Sequence, residues 1–319
     1  MSLFHHNYSY DPGYGLTLGD LLTITAPEQP TDFCKFWREK YQRTVNIAAD
    51  YSLEYQCTRA GYRVYDLHFR STDDFNIGGW LLEPENQVIT QAIVVGHGYG
   101  GREQPDYHLQ IAGAALLFPC MRGISRSRNG RLPEQPNQHV LHAIDDPNRY
   151  VIGGCVEDIW LAVTVLAAIY PQCAESIGYM GISFGGGLGA LAAPWDHRIK
   201  RLHLNVPTFG NQPLRLSLPS SGSAAALKAH SQYHPHIFDT LAYYDAAVAA
   251  RHASQPLHAA VALFDPVVAP PGQFAIYNAW SGEKRLFVLD AGHFEYPCQH
   301  EQDRQLVAEL QQFFGVSPA

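Results

Sequence analysis

Gly181-Ile182-Ser183-Phe184-Gly185-Gly186-Gly187 follows a short apolar stretch, Ser176 to Met180, and leads into the small-residue run Leu188 to Ala193. That pattern predicts a strand, a tight turn and a helix, with the Ser183 hydroxyl projecting beyond the end of a sheet and glycine on each side leaving room for crossing backbone. The chemistry it suits is nucleophilic attack. Glycines after a strand also mark phosphate cradles, but here there is no Gly-Lys-Ser/Thr ending and the spacing is not that of a dinucleotide fingerprint. A serine hydroxyl is a weak nucleophile at neutral pH, so it needs an imidazole to take its proton and a carboxylate to hold that imidazole's tautomer. Both follow in order. Asp265 lies 82 residues on, directly after an apolar run ending at Phe264, and His293 lies 28 further, just past a run ending at Asp290.

Each of these residues is thus expected at the C-terminal end of its own strand, the edge where open α/β sheets place their ligands. Asp265 also reads as a turn residue before Pro266, and Asp290 and Glu295 compete with it as orienters of His293. Asp290 is the stronger rival, although a residue in the last turn of a strand tends to point along that strand. Ester or amide hydrolysis further needs donors aimed at the oxyanion. The turn Val95-Gly96-His97-Gly98-Tyr99-Gly100-Gly101 follows another apolar run, which makes the Tyr99 N–H one candidate donor and the N–H of Phe184, next after the nucleophile, the second. The same turn also reads as a plain strand-to-helix connection, with His97 bracing it. The Tyr99 and Phe184 side chains are expected to wall the substrate pocket.

The elements that must hold these groups can be read around them. Val64, Leu67 and Phe69, the polar turn Ser71 to Asp74, and Ile77 to Leu82 predict an antiparallel hairpin between Tyr62 and Pro84. Short apolar runs at Ala92–Val95, Ala114–Phe118, Ser176–Met180, Leu202–Val206, Ala260–Phe264 and Leu286–Asp290 predict strands covered on both faces. Cys155 to Tyr170 and Glu301 to Phe314 read as helices, the latter with a stripe of Leu306, Leu310, Phe313 and Phe314. The expectation is one α/β domain over 1–319, with a mostly parallel central sheet and helices on both faces. Residues 1–60, helix-like and loop-like, are expected to be a covering N-terminal extension, and about 207–256 a lid-like insertion.

Composition narrows the field. The chain has 319 residues, 46% of them hydrophobic, enough to bury a sizeable core, and its 27 Gly and 21 Pro follow no period, so disorder and fibrous repeats are excluded. Its 22 Lys and Arg against 30 Asp and Glu give a net charge of −8 with no basic block, which argues against nucleic-acid or anionic-membrane partners. The longest apolar run, Ile159 to Tyr170, is shorter than the ~20 residues of a membrane span and reads as a buried helix. The start of the chain lacks the pattern of an export signal, and the six cysteines are scattered without a Cys-x-x-Cys pair. Both point to a cytoplasmic protein with reduced thiols.

The chain order Ser, Asp, His is that of α/β-hydrolases. More specifically, the chain resembles the acetyl xylan esterase and cephalosporin-C deacetylase family of carbohydrate esterases. The resemblance is carried by Asp32-Phe33 with Phe36-Trp37, by Tyr65-Asp66-Leu67, by Gly78-Gly79-Trp80-Leu81-Leu82, and by His97-Gly98-Tyr99. It continues through Arg122-Gly123, the Ser183 turn, Asp196 with Arg198-Ile199, the stretch from Asp265 through Pro270-Pro271 and Phe274-Ala275 to Tyr277-Asn278, and Gly292-His293 with Glu295. It implies a triad of Ser183, Asp265 and His293, an oxyanion N–H from Tyr99, removal of acetyl groups from small acetylated sugars or cephalosporins, and a cytoplasmic homo-oligomer, a hexamer whose sites face an internal chamber. Two positions depart from the family pattern. The family's Asp-x-Arg-Gly-Gln-Gly reads Cys120-Met121-Arg122-Gly123-Ile124-Ser125, and the Gln after the nucleophile is Phe184. A backbone donor at 184 survives that change, whereas a large apolar ring beside the acyl site puts specificity in play, and whatever the missing amide at 124 supports must be held otherwise.

The expectation is therefore a serine esterase that acts through an acyl-enzyme and needs no cofactor and no metal, with a small acetylated carbohydrate as its partner. The alternatives are a hydrolase of the same fold acting on another ester, thioester or amide, and a silent binding or scaffold protein.

Overall fold

The structure is a computed structural model that describes residues 4–315. Nine strands form one sheet: β1 (Tyr51–Arg59), β2 (Tyr62–Arg70), β3 (Asn76–Pro84), β4 (Gln91–Gly96), β5 (Ala114–Pro119), β6 (Ile177–Ile182), β7 (Ile199–Asn205), β8 (Leu257–Ala262) and β9 (Lys284–Leu289). Their spatial order is β1-β2-β3-β5-β4-β6-β7-β8-β9. From β5 to β9 the neighbours run parallel, whereas β1, β2 and β3 form an antiparallel flank that joins β5. The connection from β4 goes one way to β5, and β6 then takes the opposite side of β4. A crevice therefore opens at the carboxyl ends of β4 and β6, where an α/β sheet of this kind binds its ligand.

The helices are α1 (Leu18–Leu21), α2 (Phe33–Val45), α3 (Pro136–His139), α4 (Val151–Ile169), α5 (Phe184–Ala192), α6 (Gln212–Ser217), α7 (Ser223–Ser231), α8 (Ile237–Tyr243), α9 (Ala246–Ala250), α10 (Pro270–Ala279) and α11 (Gln299–Gly315). Alternate residues of the central strands feed two cores. Ala92, Val94, Ala115 and Leu117 join buried residues of α2, α4, α5, α9 and α10 on one face. Ile93, Val95, Leu116 and Phe118 meet Leu306, Leu310, Phe313 and Phe314 of α11 on the other. α4 has the length and apolar character of a membrane span. Its apolarity is explained by the core, since most of its side chains are buried between the sheet, α2 and α5. α11 ends with Phe314 over Gly178, at the start of β6, where a Cβ would lie 2.8 Å from the ring.

The hairpin of β2 and β3 has the expected bounds, and helices cover both faces of a mixed, mostly parallel sheet. Two differences matter. Tyr51–Arg59, read as part of a covering extension, is instead the edge strand β1, and all nine of its residues are exposed. The signal is present in the sequence, since Tyr51, Leu53, Tyr55 and Cys57 alternate with Ser52, Glu54, Gln56 and Thr58 at the period of a strand, although neither face is buried. β8 stops at Ala262 and not at Phe264, because the Asp265 carboxylate turns back on the N–H groups of Val267 and Val268 and closes a turn in place of a ladder. The 207–256 stretch holds α6 to α9. Gly222 and Ser223, at the start of α7, border the site cavity, while every residue of α9 is buried in the main core.

Candidate active site

β6 delivers Ser183 at φ 55°, ψ −108°, a left-handed backbone that costs a non-glycine residue strain and persists only where its surroundings impose it. The surroundings are glycines. A Cβ on Gly181 would sit 2.4 Å from the Gly185 carbonyl oxygen, and one on Gly185 would sit 2.8 Å from the Gly96 backbone. The Gly185 N–H donates to the His97 carbonyl at 2.9 Å, so the nucleophile turn and the loop after β4 are fastened to each other.

The three sequence candidates meet on one edge. His293 Nε2 lies 3.0 Å from Ser183 Oγ, and His293 Nδ1 lies 2.8 Å from Asp265 Oδ2. With Nδ1–H donating to the carboxylate, Nε2 is left as the acceptor for the serine proton. Asp265 is fully buried, and its Oδ1 accepts from the N–H groups of Val267 and Val268, at 2.8 Å each. Burial alone would lower the His293 pKa, but the hydrogen bond and charge of Asp265 outweigh it and hold the imidazole above its ordinary 6.5. The rival Asp290 makes no hydrogen bond or ion pair with the ring among the described residues; its N–H donates to Gln302 Oε1 at 3.1 Å. Gly292 is what lets the acid reach the base, since a Cβ there would lie 2.5 Å from Asp265 Oδ2.

Among the described residues, no acceptor partners the N–H of Tyr99 or that of Phe184. The Phe184 side chain corrects the expectation that it walls the pocket. It is fully buried, stacked beneath Tyr99 with ring centroids 4.0 Å apart and planes 21° from parallel, so Tyr99 lines the cavity and Phe184 supports it from behind. A ring that large finds more apolar burial under Tyr99 than at the solvent-facing wall. The cavity holds about 440 Å³ and is lined by Tyr99, Ser183 and Val268 together with the polar Gln135, Asn137 and Thr208. Thr208 is 3% exposed, and its Oγ1 has no partner among the described residues.

Supporting contacts complete the site, and those of His139 and Gln273 are ones that no sequence pattern singles out. The Tyr99 hydroxyl donates to His139 Nδ1 at 2.9 Å, and His139 Nε2–H donates to the Arg122 carbonyl at 3.0 Å. Burial pushes the His139 pKa down to about 4, so the ring stays neutral and keeps that tautomer. Gln273 bridges the acid loop: its amide donates to Asp265 Oδ2 at 3.0 Å and to the Val268 carbonyl at 2.7 Å, and its oxygen accepts from the Ala262 N–H. His97 braces its turn through the Gly98 carbonyl at 2.6 Å and the Met121 N–H at 2.9 Å. The loop that lacks the family's Gln at 124 is held by Ser125, whose Oγ accepts the Arg102 N–H at 2.9 Å, while Ile124 is buried.

A larger cavity, about 650 Å³, lies elsewhere, between α2, α4 and the Arg122 region. Its inner charges pair with one another: Lys40 with Glu157 at 3.0 Å, and Arg122 with Asp158 at 2.7 Å. Among the described residues, no group of three or more His, Cys, Asp or Glu side chains is arranged to hold a metal ion.

Comparison with known proteins gives one family. A family model described as acetyl xylan esterase (AXE1) matches residues 15–311. The acetyl esterase Axe7A of Xylanibacter ruminicola is 20% identical over 280 residues, which are 82% of this chain and 62% of that protein, so the chain spans less than two thirds of this relative's length. Among solved structures, an acetyl xylan esterase from Paenibacillus sp. R4 superimposes with a TM-score of 0.77 at 23% identity. Acetyl xylan esterase 1 from Thermoanaerobacterium sp. JW/SL YS485 does so with 0.80 at 20%; in both cases 92% of this chain and 99% of the other are covered. An acylaminoacyl peptidase from Pyrococcus horikoshii shares the fold more distantly, with a TM-score of 0.61 over 80% of this chain and 41% of the other.

Proposed function

The chain belongs to the acetyl xylan esterase family, and from that premise we propose that it is a carboxylic ester hydrolase: a serine esterase that removes acetyl groups from small acetylated sugars. The observation that carries the reading is the pair of hydrogen bonds joining Ser183, His293 and Asp265, at 3.0 and 2.8 Å, beside two unengaged amides. His293 Nε2 takes the Ser183 proton as Oγ attacks the acetyl carbonyl carbon. The carbonyl oxygen gains negative charge and is met by the N–H groups of Tyr99 and Phe184, each worth on the order of 3 kcal/mol in a site of this kind. The imidazolium, held by Asp265, returns its proton to the leaving sugar oxygen, and the acetyl group stays on Ser183. Water, deprotonated by the same imidazole, then attacks the acetyl-serine, and acetate leaves as Oγ regains its proton.

The polar cavity lining, Gln135, Asn137, Thr208, Ser221 and Ser223, suits a substrate rich in hydroxyls. As part of the same proposal the enzyme is a cytoplasmic homo-oligomer, as in the family. The feature of this chain that supports assembly is β1, an unpaired edge with Leu53 and Tyr55 exposed. A panel of p-nitrophenyl esters with Ser183→Ala as control tests the activity. Acetate is expected to be the best acyl group, with the activity and fluorophosphonate labelling lost in the variant. Preference for chains of about six carbons or more, beyond the short acyl chain that the reading requires, sinks it.

A further inference from the structure

Phe264 and Phe294 are the chain neighbours of Asp265 and His293, and their rings meet at 4.9 Å. With Ala291 and Tyr296 they form a small cluster separate from both main cores, and Phe4 packs onto it. The Phe4 ring lies 5.2 Å from Phe264, 5.7 Å from Phe294 and 6.0 Å from Tyr296, while His6 lies 5.5 Å from Phe264 and Tyr8 6.5 Å from Phe294. One segment therefore covers the loops of both the acid and the base.

The polar contacts of the same segment run to the same loops. The Pro12 carbonyl accepts the Asp265 N–H at 3.2 Å. The Tyr10 hydroxyl donates to the Pro266 carbonyl at 2.8 Å, the oxygen that also receives the Ser221 N–H at 2.8 Å and the Ser221 hydroxyl at 2.9 Å. The Tyr14 hydroxyl donates to the Pro219 carbonyl at 2.6 Å. Ser221 lines the site cavity, so the segment ties the acid loop, the base loop and the cavity wall together. Asp11 accepts the Gly13 N–H at 3.0 Å and fixes the turn that makes these contacts, with Pro12 and Gly13 buried.

We propose that Phe4–Tyr14 is a positioning strap for the reaction, holding the Asp265 and His293 loops in bonding register while touching none of the reacting atoms. The proposal rests on the triad reading above. The stretch matched by the family begins at residue 15, so the strap lies outside what the match covers. Its physical basis is that the Asp265–His293 hydrogen bond joins loops from two different strands. Those loops pack against each other through aromatic rings whose outer side the strap supplies, and displacements of about 1 Å at such a contact cost rate out of proportion to stability.

The test compares the intact enzyme with a chain lacking residues 1–12 and with full-length Phe4→Ala and Tyr10→Phe. The readouts are thermal midpoint, kcat and KM for p-nitrophenyl acetate across pH, and the rate of fluorophosphonate labelling at Ser183. Truncation is expected to lower kcat and labelling about tenfold or more with KM within about threefold. It should also move the acid limb of kcat/KM to lower pH, because His293 loses the contact that holds its pKa up. Phe4→Ala should do the same to a smaller extent. A folded truncated enzyme with unchanged kcat and acid limb, whatever its thermal midpoint, overturns the strap. If truncation abolishes folding, unchanged kcat and acid limb in both point variants overturn it. Failure of the intact enzyme to label at Ser183 overturns the triad reading itself, whereas equal labelling of intact and truncated enzyme overturns the strap alone.

Discussion

In the proposed mechanism His293 carries the proton traffic, and Asp265 sets its working range. Because the carboxylate holds the imidazole pKa above 6.5, activity requires the neutral ring and is expected to fall with acidification from a point above pH ~6.5. A kcat/KM profile measured from about pH 5 to 9 checks this; an acid limb centred well below 6.5 contradicts it. Asp265→Asn should lower kcat on the order of ten-thousand-fold, since an amide no longer fixes the tautomer. Gly292→Ala tests the approach of acid to base separately. The new methyl would meet Asp265 Oδ2 at 2.5 Å, and kcat is expected to fall about a hundredfold. Ser183, Asp265 and His293 were legible in the sequence because each follows an apolar run and sits among residues that make turns. His139 and Gln273 were not. His139 meets Tyr99 from 40 positions away, Gln273 lies inside a helix, and neither carries a local pattern that marks a partner.

Among the elements, the central strands were legible because burial on both faces leaves an unbroken apolar run. Their ends were less so, and Phe264 shows why: it is apolar because it packs in the small cluster with Phe294, not because it lies in β8. β1 was missed although its apolar and polar residues alternate. Its Tyr51, Leu53 and Tyr55 share one face and are 38%, 36% and 54% exposed, with Tyr55 set against the Tyr65 ring at 5.8 Å. If this edge joins copies of the chain in the proposed assembly, Leu53→Lys with Tyr55→Lys should lower the assembly state seen by light scattering while leaving the thermal midpoint of the separated subunits nearly unchanged. An unaltered assembly state would remove β1 from the interface.

At the scale of the whole molecule, buried neutral imidazoles make the fold sensitive to acid. Burial lowers the pKa of His97 to about 4 and that of His203, which also faces His258 at 3.1 Å, to about 3. The unfolded chain takes up these protons near pH ~6.5, so the stability they protect is complete above that value and declines as pH falls from there toward about 4. Thermal midpoints should be level from about pH 7 to 8 and fall steadily below about 6.5; a profile flat to pH 4 contradicts the assignment. The sheet also gives the molecule a direction. Ser183 and its cavity lie past the carboxyl ends of β4 and β6, whereas α11 finishes over Gly178, where β6 begins. A tether attached after Gly315 would therefore let an immobilised catalyst stand on its base, with its entrance turned toward the flowing solution rather than the support.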